Sequence, residues 1–413
     1  MDLTTSAAFG QVGQESLAID PASLYQAFEQ VKDRRGKKGK RFPLAFILTL
    51  IMLGKMAGQP KIEGIVNWVN ERKGILKRLL DWPKDFPSNW AYTNALAHCD
   101  DQELVKVIAQ VILKARAVEQ CDDEPSRLLA QKEQGEENLI HTAMDGKTMR
   151  GTRKQGPDHQ PPIHLLSLYE CESGIVIAHV STKEKENEIT ASPTLLHPAL
   201  VKGRIITADA MHTQKKFCML VSTSGGYYLL IAKENQPGML ADLIDFFADK
   251  ELDQGEWQHH KETNKGHGRL EVREIWASTQ MNEWFAKDWT GIAQVFMIQR
   301  TITEEGETRV ETVYGITSLP RKKADAKRLL ELNRRHWFIE NRLHYRRDVT
   351  FGEDASHVRV KGAPQVLAAL NGGILALMDF LGVKNIAKQM RHYCAHYEEA
   401  LQLLFGNPAM QNG

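Results

Sequence analysis

The chain has 413 residues, enough for two to three domains of roughly 100–200 residues each. Its 53 basic side chains nearly cancel 52 acidic ones, its apolar fraction is 42%, and its net charge of +1 excludes a globally basic nucleic-acid coat. The five cysteines, Cys99, Cys121, Cys171, Cys218 and Cys394, are scattered, odd in number and without a CxxC pair, which argues against a disulfide framework or a paired-cysteine zinc site and suits a reducing cytoplasm.

In chain order, the N-terminus lacks a basic stretch followed by an apolar core, so no signal peptide is read. Residues from about 20 to 120 show apolar side chains at three- and four-residue spacing, and 1–120 is expected to form a small helical domain. The longest apolar run, Pro43 to Gly54, is shorter than the ~20 residues that span a bilayer; it reads as a buried helix, and no membrane partner is expected. "VKDRRGKKGKR", Val31 to Arg41, carries seven cations and one acid, either as a solvated face or as a nucleic-acid contact. Residues 121–138 are acidic and aperiodic and read as a linker.

Beyond the linker the texture changes. "NLIHTAMDG", "PIHLLSLYE" and "GIVIAHVST" are short strand-like runs separated by turn residues. A helical stretch around "ASPTLLHPALV" follows, then "GRIITADA" as strand, "TQKKFCMLVSTSG" as helix and "GYYLLIAKEN" as strand. The sum is β-β-β-α-β-α-β: an α/β domain, residues 139–385, with helices on the faces of a mixed sheet. A β-rich segment over about 250–320 interrupts it before a final helical run, and 386–413 reads as a helical tail.

The chemistry lies at strand ends. Asp145 is expected to end the first strand and Asp209 the fourth. Neighbouring parallel strands would bring both carboxylates together, and like charges at that range need a counter-cation. Mg²⁺ or Mn²⁺ meets that need; the alternative is that each Asp is a turn or cap residue. "NRRHWFIENRLHYRRDV" reads as one helix with Glu340 in its middle, His336 sharing its face four residues back, and Trp337, Phe338 and Ile339 marking a packed side. Lys147, Arg150, Lys233, Asn235, Gln236, His267, Arg269, Arg273, His336, Arg346 and Arg347 are of phosphate-binding types around these carboxylates. Each of them is equally readable as a surface residue. Trp337 is read as core or as a platform for a flipped base. His344, His357 and the other histidines are read as satisfied surface or core residues rather than zinc ligands.

Seven blocks in order carry a resemblance. "FEQVKDRRGKKGKRFPLAFILTLIMLGKMAGQ", "AMDGKTMRG", "KENEI" (Lys185 to Ile189), "TADAMHTQK", "YYLLIAKENQP", "HGRLEVR" and "RRHWFIENRLHYRRDVTFGED" resemble the DDE transposases of bacterial insertion sequences, of the H-repeat-associated type. The resemblance runs from about Leu24 to about Leu381. It implies an RNase H-like catalytic domain with a β-rich insertion, preceded by a helical domain associated with DNA binding. It implies Asp145, Asp209 and Glu340 as catalytic and metal-holding carboxylates, with two Mg²⁺ or Mn²⁺ ions. It further implies double-stranded DNA (transposon ends and target) as partner, a homodimer on that DNA, and a cytoplasmic protein at the nucleoid. Where relatives carry Tyr, Arg and Lys or Arg around the Glu, this chain carries Asn333, His336 and Arg347. Three functions stay open at this level: a transposase that cuts and joins, a metal-dependent nuclease that only cuts, and a non-catalytic DNA-binding descendant of a transposase.

Overall fold

A computed structural model of the chain describes residues 22–122, 139–154, 160–182, 187–266 and 268–406. The expected linker, apart from its first two residues, His267, and Lys185 and Glu186 of the "KENEI" block lie outside the described residues, as do residues 407–413. The described residues fall into two compact units.

One unit comprises Met1–Glu119, Thr350–Gly352 and Val358–Gly413. Its centre is the helix Leu44–Met56, all of whose residues are buried, Thr49 and Lys55 included, as a helix apolar over most of its surface must be. Gly54 lets Ile62–Glu71 approach, since a Cβ there would lie 2.8 Å from Ile65. The helix Ala363–Phe380 is long and apolar enough to cross a membrane, yet 89% of it is buried in the protein. It packs on Leu44–Met56 and Asn89–His98, so the stretch expected to close the α/β domain belongs to the helical unit. Tyr25 stacks on Phe405 at 4.7 Å, so the first and last described helices meet. The basic stretch is not a free array: Arg35 is buried, paired with Asp33 at 2.9 Å and donating to the Phe42 carbonyl at 2.7 Å. Lys37 and Lys38 stay exposed on a short 3₁₀ turn.

The other unit, Gln120–Val349 with Glu353–His357, is built on one nine-stranded sheet. Its strands are β1 (Ile140–Met149), β2 (Ile163–Glu170), β3 (Ile175–Ser181), β4 (Arg204–Ala208), β5 (Tyr227–Ala232), β6 (Gln258–Gly266), β7 (Arg269–Ser278), β8 (Gln294–Glu304) and β9 (Glu307–Thr317). The spatial order is 3-2-1-4-5-9-8-7-6. β1, β2 and β3 form an antiparallel meander, while β4 and β5 run parallel to β1. This is the RNase H-like arrangement expected from the sequence. The insertion adds no separate sheet: β6 to β9 form an antiparallel meander whose β9 pairs with β5 and lengthens the same sheet.

Apolar side chains cover both faces. Met144, Leu166, Ile206 and Leu230 meet the helices Lys215–Thr223 and Pro237–Ala248 on one face. Ile205, Leu229, Phe296 and Ile298 meet Ala326–His336 on the other. Asp325 caps that helix by accepting from the Arg328 amide at 2.8 Å. The expected single helix across residues 333–349 is interrupted. After His336 the chain forms a π-helical stretch, Ile339–His344, in which the Tyr345 amide donates to the Glu340 carbonyl. Then Tyr345–Phe351 resumes the α form.

Below this turn Arg347, 2% exposed, is held by Glu353, also 2% exposed, at distances of 3.1 Å and 2.5 Å. Removing one partner of a buried pair strands the other charge, which costs about 3–5 kcal/mol. Arg347→Ala is therefore expected to reduce stability by that much in urea unfolding, and a change below about 1 kcal/mol would show the pair to be solvated.

Candidate active site

The sheet register builds the site. The parallel β1–β4 ladder ends at the pair Met144 and Ala208, so Asp145 and Asp209 occupy the next rung, where the strands part. β1 does not end at Asp145: it runs on to Met149, held antiparallel by β2 through Met149 and Ile163. Asp145 thus sits inside a strand fixed on one side only, while Asp209 leaves β4 into a short turn, Ala210–His212. A strand backbone anchored to β2 holds Asp145 more rigidly than a free strand end would.

Glu340 comes from the π-helical stretch, and His344, 3% exposed, joins the two carboxylates. Its Nδ1 donates to Glu340 Oε2 at 3.2 Å and lies 3.3 Å from Asp145 Oδ2. Burial alone would lower the His344 pKa, but the hydrogen bonds to Asp145 and Glu340 outweigh it and the pKa is raised. Glu340 is held below the usual carboxylate range by the His344 hydrogen bond, against burial and against the charge of Asp209. Asp209 is lowered by His336, whose Nε2 lies 3.5 Å from its Oδ1. The Thr207 hydroxyl lies between His336 Nδ1 at 3.1 Å and buried His141 Nε2 at 2.9 Å. Burial pushes the His141 pKa down to about 3, which keeps that ring neutral.

One ligand atom each from Asp145, Glu340 and His344 lies within 4.8 Å of the others. Two carboxylates and an imidazole at that spacing fit a divalent ion; the oxygens suit Mg²⁺, and the nitrogen is better tolerated by Mn²⁺. Asp209 stands outside this group, its side chain 64% exposed and directed at His336.

The sequence-expected cations divide in two. Arg150 is 83% exposed, with Asp354 at 3.6 Å, and is free to meet a phosphate. Lys233 is exposed and, with Arg273, Arg300, Asn333, Arg334 and Trp337, lines a cavity of about 620 Å³. Trp337 is 63% exposed at that cavity, which removes its reading as core. Arg269 is half-buried at the start of β7, and Arg346 is half-buried with an N–H on the Arg342 carbonyl at 3.2 Å.

Other expectations need correcting. Lys147 is buried and paired with Asp348 at 2.5 Å and with Asp354 at 3.7 Å. Arg347 is buried on Glu353. Lys147 thus serves two half-buried carboxylates and Arg347 a fully buried one. Asn235 and Gln236 donate their amides to the carbonyls of Ala210 and Thr213, at 2.8 and 2.9 Å, and brace the turn after Asp209.

His344, expected to be a satisfied residue apart from the site, stands between two of its carboxylates, and Glu188 was not singled out at all. His344 had a visible signal, its four-residue spacing from Glu340. Glu188 had only its block: Asn187 caps its short helix, and its carboxylate takes His164 Nε2 at 2.8 Å and His212 Nε2 at 3.0 Å. Burial would raise its pKa, but the two imidazoles pull it down to about 2, from 4.5. A depressed carboxylate stabilises the fold above its unfolded pKa and loses that contribution as pH falls through the folded one. Between pH ~4.5 and ~2 the melting temperature of Glu188→Gln is therefore expected to fall less than that of the wild type; parallel curves would refute the linkage.

The geometry can be set beside known proteins. The model of the Transposase DDE domain matches residues 137–377, and that of its associated domain (DDE_Tnp_1-associated) matches residues 25–112. "Putative transposase YncI" of Escherichia coli O157:H7 is 26% identical over 94% of this chain and 98% of its own length. "H repeat-associated putative transposase YhhI" of Escherichia coli (strain K12) is 32% identical over 55% of this chain and 61% of its own. A piggyBac transposase synaptic complex with hairpin DNA aligns over 95% of this chain and 81% of that one, at 9% identity and a TM-score of 0.41. With a mixed sheet that sets an aspartate one residue past the last paired rung on each of two parallel strands and a family match over more than half its length, the chain belongs to the DDE transposases of bacterial insertion sequences.

Proposed function

We propose that the protein is an active DNA transposase that cuts at transposon ends and joins the freed ends to target DNA, with Asp145, Asp209 and Glu340 as its carboxylates. The observation that carries this reading is the placing of Asp145 and Asp209 each directly after the last paired rung of β1 and β4, with Glu340 linked to Asp145 through His344. Three anionic side chains gathered at one sheet fork are unfavourable unless a cation joins them. Asp145 and Glu340 would hold a divalent ion with His344, and Asp209 would hold a second; such ions polarise a phosphodiester and lower the pKa of a water.

The remaining work falls to this chain's own groups. His336 orients Asp209 across the 3.5 Å between them. Arg150 and Lys233, both exposed, hold the DNA backbone on either side of the fork. The reaction is an in-line displacement at phosphorus done twice. Water first releases a 3′-hydroxyl, and that hydroxyl then attacks a target phosphodiester with loss of the neighbouring 3′-oxygen. Two chains on two DNA ends would make joining concerted, so the reading takes the working unit to be a homodimer on DNA, at the nucleoid of the cytoplasm.

The test is cleavage and joining of DNA carrying the ends that flank the gene, with Mg²⁺ or Mn²⁺. Asp145→Asn is expected to retain DNA binding and lose metal-dependent cutting, and wild type is expected to give joined products. Cutting without joining would make the protein a nuclease; binding without cutting by either protein would make it a DNA-binding relic.

Arg150→Ala and Lys233→Ala are each expected to reduce the slope of log K for DNA against log salt by about 0.9 for every phosphate that is no longer neutralised. Lys147→Met should leave that slope unchanged. The reverse pattern would mean that the buried lysine turns out to DNA.

A further inference from the structure

Glu188 lies where the two aspartate-bearing strands part, and the reaction above gives it no role. Its two carboxylate oxygens grip different sides of the fork. Oε1 takes His164 of β2, whose Nδ1 in turn meets the Thr148 hydroxyl of β1 at 2.8 Å. Oε2 takes His212, three residues after Asp209, whose ring is 1% exposed. The chain Thr148–His164–Glu188–His212 is thus a brace from β1 to the turn that carries Asp209.

Gly146, directly after Asp145, makes room for it. A Cβ there would collide with both Glu188 Oε1 and His164 Nε2. Glu188 is also close enough to Asp209 for its charge to act on that carboxylate. Among the described residues no backbone ladder joins β1 to β4 beyond Met144 and Ala208, so the brace is a tie that spans the opening there.

We propose that Glu188 is a positioning residue that fixes Asp145 relative to Asp209 and so sets the affinity of the fork for divalent metal. The proposal rests on the transposase reading above, which makes these aspartates metal ligands. Asn235, Gln236 and the Thr213 hydroxyl, which donates to the Ile231 carbonyl at 2.6 Å, hold the same turn independently. Loss of Glu188 is therefore expected to shift the turn without unfolding the unit.

The experiment is Mn²⁺ binding to the full chain without DNA, followed by calorimetry, for wild type, Glu188→Gln, Glu188→Ala, Gly146→Ala and Asp145→Asn. Residues that orient metal ligands typically carry about 10–100-fold in affinity. Glu188→Ala and Gly146→Ala are expected to weaken Mn²⁺ by at least about tenfold, and Glu188→Gln, which keeps one hydrogen-bonding oxygen, by less. High Mn²⁺ is expected to restore cleavage in Glu188→Ala but not in Asp145→Asn, a split that a purely structural role would not give. Binding within about twofold of wild type in both Glu188→Gln and Gly146→Ala would overturn the proposal while leaving the metal site standing. Wild-type Mn²⁺ binding that Asp145→Asn does not weaken would overturn the metal reading, and this proposal with it. Should Glu188→Ala fold poorly, the other two variants decide.

Discussion

The rest of the structure answers to the repulsion among acidic side chains at one edge of a sheet. Parallel strands that carry an aspartate one residue past their last paired rung must bring those charges together. Nothing in the sheet itself offsets the cost. The compensation comes from elements far apart in sequence: His344 between Asp145 and Glu340, His336 on Asp209, and two further imidazoles on Glu188. Imidazole suits this place because it donates a hydrogen bond whether or not it carries charge and can give way to a cation.

The same logic explains the cations that were expected at DNA. A lysine or arginine close to half-buried or buried acids of the fold is drawn toward them. Lys147 satisfies Asp348 and Asp354, and Arg347 satisfies Glu353. The Arg347 pair holds the segment that follows Glu340 to itself, and the Lys147 pairs tie the end of β1 to that segment. The close approach at Gly151 does so as well, where a Cβ would collide with the Ser356 carbonyl. Asp145 and Glu340 therefore keep their spacing through a second, charged link below the site.

Much of this was legible in the residues. Turn-bounded apolar runs gave the strands, and Asp145 and Asp209 stood at visible ends of such runs. What was not legible depends on long-range placement. Strand periodicity does not tell where a parallel ladder stops while an antiparallel one continues, so β1 looked shorter than it is. A π-helical turn has no signature distinct from an α-helix, so His336 and Glu340 were expected on one helix face, whereas His336 meets Asp209 and Glu340 meets His344. The insertion read as a block of strands, but its union with the main sheet rests on the β5–β9 pairing, between residues more than eighty apart. Burial of Lys147 was hidden because its acidic partners lie some two hundred residues away.

The helical unit has a further consequence, for the order in which the chain matures. Its core needs Ala363–Phe380 and Tyr397–Phe405 as well as Leu44–Met56, and the stretch Gln120–Val349 lies between them. A ribosome adding about 5–20 residues per second needs on the order of ten to fifty seconds to make that stretch. Throughout that interval the largely apolar Leu44–Met56 helix has no late partners to cover it. The sheet unit can close first, while the unit that begins the chain must wait for its last helices. The period of greatest aggregation hazard thus falls in the middle of synthesis, and the nascent N-terminal segment is the natural client of a holding chaperone.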